Sequence, residues 1–267
     1  MRNLTQNRFF LFFFIVVLAL VGVLSTLLAT SRGIGIEVDS VKYLEAAHNL
    51  ATGHGLTAQN VDGTFTPLTW YPPLYPTLLT LGQTAGIPVQ DGARWLNVIL
   101  SGLATLLMGF VLIQHFPNSF WLPVLGTLLL LISDKYIESI LAVALTEALF
   151  IFLSFSGLVL FASFLKTQRR DSLVASSVFI GLACLTRYVG LTLVISAAIL
   201  ILLRYGKITQ TVISSLWILV LLGFGPLAAW LFYGHIVGLD ARSFSFHPVS
   251  TDKIESGLVT NGASGLQ

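Results

Sequence analysis

The chain has 267 residues, 55% of them hydrophobic and only 10% charged, with a formal net charge of +2. A soluble domain carries roughly 25% charged residues, so the composition is that of an integral membrane protein, and the absence of a long basic run or a base-reading motif argues against a nucleic-acid partner. The single cysteine, Cys184, excludes an intramolecular disulfide and a thiolate metal cluster and is expected as a small core residue.

Phe9 to Thr30 is an almost purely apolar run of 22 residues behind Arg2 and Arg8. At ~1.5 Å per residue it is long enough to cross a hydrocarbon core. It is expected to be an uncleaved signal anchor, because its apolar core is long and Leu28-Ala29-Thr30-Ser31-Arg32 is a poor cleavage site.

Ser31 to Arg94 follows, 64 residues rich in Gly, Pro, Thr and aromatics. It is too polar for the bilayer and is the expected functional loop, held by the helical frame. Near its start stand Glu37 and Asp39. The spacing predicts a helix capped by Asp39, with Val41, Leu44, Ala47, Leu50 and Ala51 on its apolar stripe, lying as an amphipathic helix on the outer leaflet. Gly53 and Gly55 around His54 mark its end. On spacing alone Asp39 is a cap and Glu37 a solvated charge. Trp70-Tyr71-Pro72-Pro73-Leu74-Tyr75-Pro76 then reads two ways. It is a rigid turn into the interfacial belt, or a set of aromatic faces for stacking on a sugar or guiding a lipid chain.

Further spans are expected at Trp95–Phe116, Trp121–Ser133, Ser139–Leu165 and Val212–Tyr233, with a longer apolar stretch from Ser172 to Leu203. As one helix that stretch would run to about 48 Å and place Lys166, Arg169 and Arg170 across the membrane from Arg204 and Lys207. Split at Arg187, it yields seven spans with every basic cluster on one side. That side then carries seven basic residues, Arg2 and Arg8 among them, against the single acid Asp171. The positive-inside rule makes it cytoplasmic, with the amino terminus inside and the acidic loop and carboxyl terminus outside. Within the spans, Glu147 is expected about 12 Å along its helix from Ser139, where a carboxylate costs ~2.5–3.5 kcal/mol. Arg187 is its nearest cation by topology, either as a structural ion pair or as a binder of lipid phosphate.

Taken together, four stretches resemble the GT-C superfamily of integral membrane glycosyltransferases that use polyprenyl-phosphate sugars, a group that includes protein mannosyltransferases and aminoarabinose transferases. They are Asp39 to Gly55, Tyr-Pro-Pro-Leu-Tyr-Pro at 71 to 76, Leu-Thr-Glu-Ala-Leu-Phe at 145 to 150, and Leu-Thr-Arg-Tyr-Val-Gly at 185 to 190. The resemblance implies an all-α membrane fold and an inverting transfer from a polyprenyl-phosphate sugar to an acceptor hydroxyl of a glycan, lipid or protein on the outer face. It implies Asp39 as the base, Glu37 orienting the acceptor or holding a divalent ion with Asp39 (Mg or Mn, the ions carboxylate oxygens suit), Lys42 and Arg187 on the donor phosphate, and Tyr71, Tyr75 and Glu147 as positioning residues.

Relatives of that group usually continue with more spans and often an outer soluble domain. Here residues 1–233 form the expected transmembrane module and 234–267 a polar outer tail with no apolar periodicity, read as disordered, with Arg242 and His247 in its first part. A shortened member, or its amino-terminal module, is the expectation. The alternatives are a non-catalytic protein that binds or moves a polyprenyl lipid through Arg187 and Glu147, and a structural subunit of the cell envelope. No internal repeat of the transporter kind is evident. His48, His54 and His247 lack a compact ligand spacing, so no His-based metal site is expected.

Overall fold

The computed structural model describes residues 2–59, 63–68, 70–133 and 135–236, with side chains for all of these but 2–8, 135 and 138. The first helix, α1 (Arg2–Ala29), is apolar on every side from Phe9 onward, as immersion in lipid allows. Ile15 and Ala19 are buried against the rest of the chain, and Phe12, Phe13 and Leu20 are exposed. Its main partner is α4 (Val89–His115). The two backbones approach closely because α4 has glycine at the contact. A Cβ at Gly109 would collide with Ile15, and one at Gly102 would meet Val23 Cγ2 at 2.9 Å.

Among the described residues five helices are long and apolar enough to cross a membrane: Phe9–Ala29, Val89–His115, Glu147–Thr167, Tyr188–Tyr205 and Gln210–Ile236. Here α6 is Glu147–Thr167, and Tyr188–Tyr205 joins a single 3₁₀ turn to α8 (Leu191–Tyr205). Gln210–Ile236 comprises α9 (Gln210–Leu219), a π-helical turn (Val220–Phe224) and α10 (Gly225–Ile236). Two more helices lie between them, α5 (Trp121–Leu131) with 11 residues and α7 (Arg170–Cys184) with 15. At ~1.5 Å per residue these are about 16 and 22 Å long, short of a ~30 Å core. Among the described residues the regular structure is helical apart from a hairpin ladder of β1 (Thr57–Gln59) and β2 (Phe65–Pro67), in which Thr57 faces Pro67 and Gln59 faces Phe65.

The break expected at Arg187 is present: α7 stops at Cys184, and Arg187 is extended at φ −149 and ψ 135. Gly190 fits that turn because its missing side chain leaves room for the Cys184 backbone, whose Cα and N lie 2.8 Å from where a Cβ would stand.

Three expectations are corrected. The helix expected from Ser139 begins only at Glu147, so this carboxylate occupies a first turn rather than mid-helix. Residues 135–141 form a π-helical segment instead. The next residues bridge to the outer loop: Gly35 donates to the Ala142 carbonyl at 2.7 Å and its own carbonyl accepts from Ala144 at 2.9 Å. Asn97, buried in α4, donates to the carbonyls of Leu141 and Val143 at 3.0 and 2.8 Å. These bonds replace the ones a helix would have made.

Second, the helix after Gly35, α2 (Val38–Ala51), is capped at Glu37 rather than Asp39, with the Glu37 N–H donating to Ser40 Oγ at 3.0 Å. Its buried face is Ser40, Tyr43, Ala46, Ala47 and Asn49, while Val41 is exposed. The face is turned because α2 packs on α3 (Leu74–Thr84), where Tyr75 and Leu79 are buried. Third, α4 starts at Val89, six residues before the expected Trp95, and carries Arg94 inside it. Arg94 donates to Thr30 Oγ1 at 3.0 Å and to the Leu27 carbonyl at 3.4 Å, supplying a cation where α1 ends.

The helix stop after Ala51 is as expected, with Gly53 and Gly55 both at positive φ. Cys184 is fully buried. Arg242, His247 and the tail from 237 lie outside the described residues. Among the described residues there are two large apolar cores and a small cluster of Ala46, Ala58 and Leu68 between α2 and the hairpin. One large core joins α2 and α3 to α4, the 135–149 segment and Ala183; the other lies among α6 to α10.

Candidate functional site

The four motif stretches lie at one end of the helices, and backbone bonds hold them there. Leu74, which opens α3 within the Tyr-Pro motif, donates to the Leu185 carbonyl at 3.0 Å, fastening the aromatic turn to the break before Arg187. Residues 142–144, next to Thr146 and Glu147, are bridged to Gly35, just before Glu37 and Asp39.

Asp39 is exposed in the first turn of α2. The Tyr71 hydroxyl donates to its Oδ1 at 2.7 Å. Burial, and then the hydrogen bond to Asp39 and the charge of that carboxylate, push the Tyr71 phenol above its ordinary range and so keep it a donor. Tyr71 also sets its ring edge against Tyr43, centroids 5.0 Å apart, and Tyr43 does the same to Tyr75 at 5.4 Å. Tyr43 stands four residues after Asp39, on the same side of α2.

Arg187 forms an ion pair with Glu147 and donates a second bond to Thr146 Oγ1 at 3.2 Å. Both charged side chains are about one-third exposed, 38% for Arg187 and 33% for Glu147, so the pair is partly open rather than sealed. The Thr146 hydroxyl stands close enough to the Tyr43 phenol to act on it. Burial is the main cause that pushes Tyr43 up to about 12; the nearby Thr146 hydroxyl acts the other way, and the charges of Asp39 and Arg187 act in opposite senses. Tyr43 therefore lies within the field of both charges and joins the acidic loop to the ion pair.

Glu37 and Asp39 both line an open hollow of about 660 Å³ whose other walls are Ile36, Val38 and Val41. These three apolar side chains are about half exposed or more, Val38 at 84%. Carboxylates beside exposed aliphatic side chains suit a ligand with a polar head and an apolar tail. The remaining predicted residues fall elsewhere. Lys42 pairs with Glu45 at 3.8 Å, on α2 itself. Tyr75 is completely buried and supports the Tyr43 ring from behind.

For a divalent ion, no group of three or more His, Cys, Asp or Glu side chains gathers among the described residues. An all-protein cage is therefore not what Glu37 and Asp39 form. Two carboxylates on one hollow fit the sparser mode in which Mg or Mn keeps its waters and shares one or two carboxylates with a substrate phosphate.

Sequence reasoning missed Tyr43 and Thr146. Tyr43 had a signal, its i+4 spacing from Asp39, but Thr146 lay inside an apparently continuous apolar helix. Comparison of the chain with protein-family models, with curated proteins and with solved structures finds no match.

Proposed function

We propose that this protein is an inverting membrane glycosyltransferase of the GT-C type, transferring a sugar from a polyprenyl-phosphate donor to an acceptor hydroxyl. The observation that carries the reading is the linked set Asp39, Tyr71, Tyr43, Thr146 and Arg187, which draws four separated motifs to one end of the helices.

In this reading Asp39 takes the proton from the acceptor oxygen as that oxygen attacks the anomeric carbon. The bond from carbon to the donor phosphate breaks, and the polyprenyl phosphate leaves with the electron pair. Tyr71 fixes the carboxylate through Oδ1. Arg187 stabilises charge on the departing phosphate, with Glu147 and Thr146 aiming its guanidinium. Glu37 would orient the acceptor, or share an ion with Asp39; such an ion, when bound, would neutralise phosphate charge. Ile36, Val38 and Val41 would border the lipid-bearing donor.

The test is transfer from a panel of polyprenyl-phosphate sugars in proteoliposomes, comparing the full chain with Asp39→Asn and Tyr71→Phe at matched expression. General-base catalysis contributes ~10² to 10⁴ in rate, so Asp39→Asn should lose that much. Tyr71→Phe should lose about tenfold, the worth of one hydrogen bond to a charged group. Equal turnover in the parent and Asp39→Asn would sink the base assignment. Retained donor binding with no turnover in any form, lost on Arg187→Ala, would make the chain a polyprenyl-lipid binder instead.

A further inference from the structure

At the end of the molecule away from Asp39, a second cavity opens between α4 and α6. It measures about 510 Å³, and its walls include Phe110 of α4 and Phe155, Leu158 and Ala162 of α6. Its lining also takes in the last turns of both helices, with His115 from one and Lys166 from the other. Because α6 begins at Glu147 and Lys166 stands in its last turn, the two sites are about 30 Å apart along that helix.

We infer that this groove binds an anionic membrane phospholipid, with an acyl chain between α4 and α6 and the phosphate at Lys166. The apolar wall and basic rim have the division of a phospholipid molecule, and basic pockets between membrane helices are a recurring way of holding anionic headgroups. Lys166 is exposed and makes no ion pair among the described residues. The neighbouring acid, Asp171, is already engaged by Arg169 at 3.3 Å. His115 Nδ1 donates to the Val111 carbonyl at 3.1 Å, which leaves Nε2 as its remaining polar atom. A zwitterionic lipid would fill the wall equally well but would set its own cation against Lys166.

The experiment is native mass spectrometry of the full chain released from vesicles of equal phosphatidylglycerol and phosphatidylcholine. The parent should retain phosphatidylglycerol preferentially. Lys166→Ala should lower that retention about fivefold, the worth of one lysine at an anionic surface, and leave phosphatidylcholine unchanged; Lys166→Arg should restore it. Ala162→Trp, which fills the chain half of the groove, should lower retention of both lipids. Unchanged phosphatidylglycerol in Lys166→Ala overturns the headgroup assignment, and unchanged retention in Ala162→Trp overturns the groove itself.

Discussion

At the scale of single residues, Tyr43 carries the most, because it touches both halves of the site and is held neutral. Its phenol is pushed up to about 12, chiefly by burial, whereas a tyrosine in an unfolded chain titrates near 10. Between those values the unfolded chain has released the proton and the folded chain has kept it. Stability that is full below pH ~10 is therefore lost as pH rises toward ~12. The thermal midpoint of the detergent-solubilised protein should fall over that window, and Tyr43→Phe should make the fall shallower while leaving the midpoint near neutrality within a few degrees. An equally steep alkaline fall in Tyr43→Phe would mean that other groups govern it. Tyr75 belongs to the same window in direction, since burial pushes its phenol up as well.

At the scale of elements, the glycines at helix crossings divide by what they face. Gly109 faces the Ile15 side chain, whereas Gly181 in α7 faces the Leu222 carbonyl in the π-helical turn. Either alanine substitution overpacks its crossing, at a cost of about 1–3 kcal/mol. Ile15→Ala should recover most of the loss in Gly109→Ala, measured as unfolding midpoints in a double-mutant cycle. For Gly181→Ala no side-chain truncation should do so, since the obstacle is backbone. The elements also show what was legible from the chain. The break at Arg187 was, because basic clusters at 166–170 and 204–207 had to share a side. The start of α6 was not, since Ile140 to Leu145 is apolar enough to continue a helix. Its backbone is instead claimed by Gly35 and Asn97, partners more than forty residues away in sequence. The α2 face was misread for a similar reason. Val41 and Leu44 offered an apolar stripe, but edge-to-face packing of Tyr43 between Tyr71 and Tyr75 turned a neighbouring one inward. Asp39, Tyr71, Glu147 and Arg187 were named from their motifs; the path joining them depends on Tyr43, which had only its spacing from Asp39 to point to it, and on Thr146, which only the packing reveals.

At the scale of the whole molecule, the ends of the helices differ in charge, and orientation can be measured directly. Cys184, the single cysteine, is fully buried, so the natural chain gives little thiol background. Cysteines introduced for Val38 and Lys207, both exposed, should react with an impermeant maleimide from opposite sides of sealed cells or inverted vesicles. Labelling of both from one side would overturn the proposed orientation. The fastening of Leu74 to the Leu185 carbonyl also sets an order of events during biogenesis. A carbonyl at a helix break has to find a donor or keep water, and this donor belongs to a segment made more than a hundred residues earlier. While the chain emerges, the Tyr-Pro turn can pack on α2, but the Leu74 N–H lacks this acceptor until Leu185 has been made. The end that gathers the four motifs is thus completed late in assembly, and ribosome-bound chains ending before Leu185 should be cut faster near Tyr71 under limited proteolysis than the full chain.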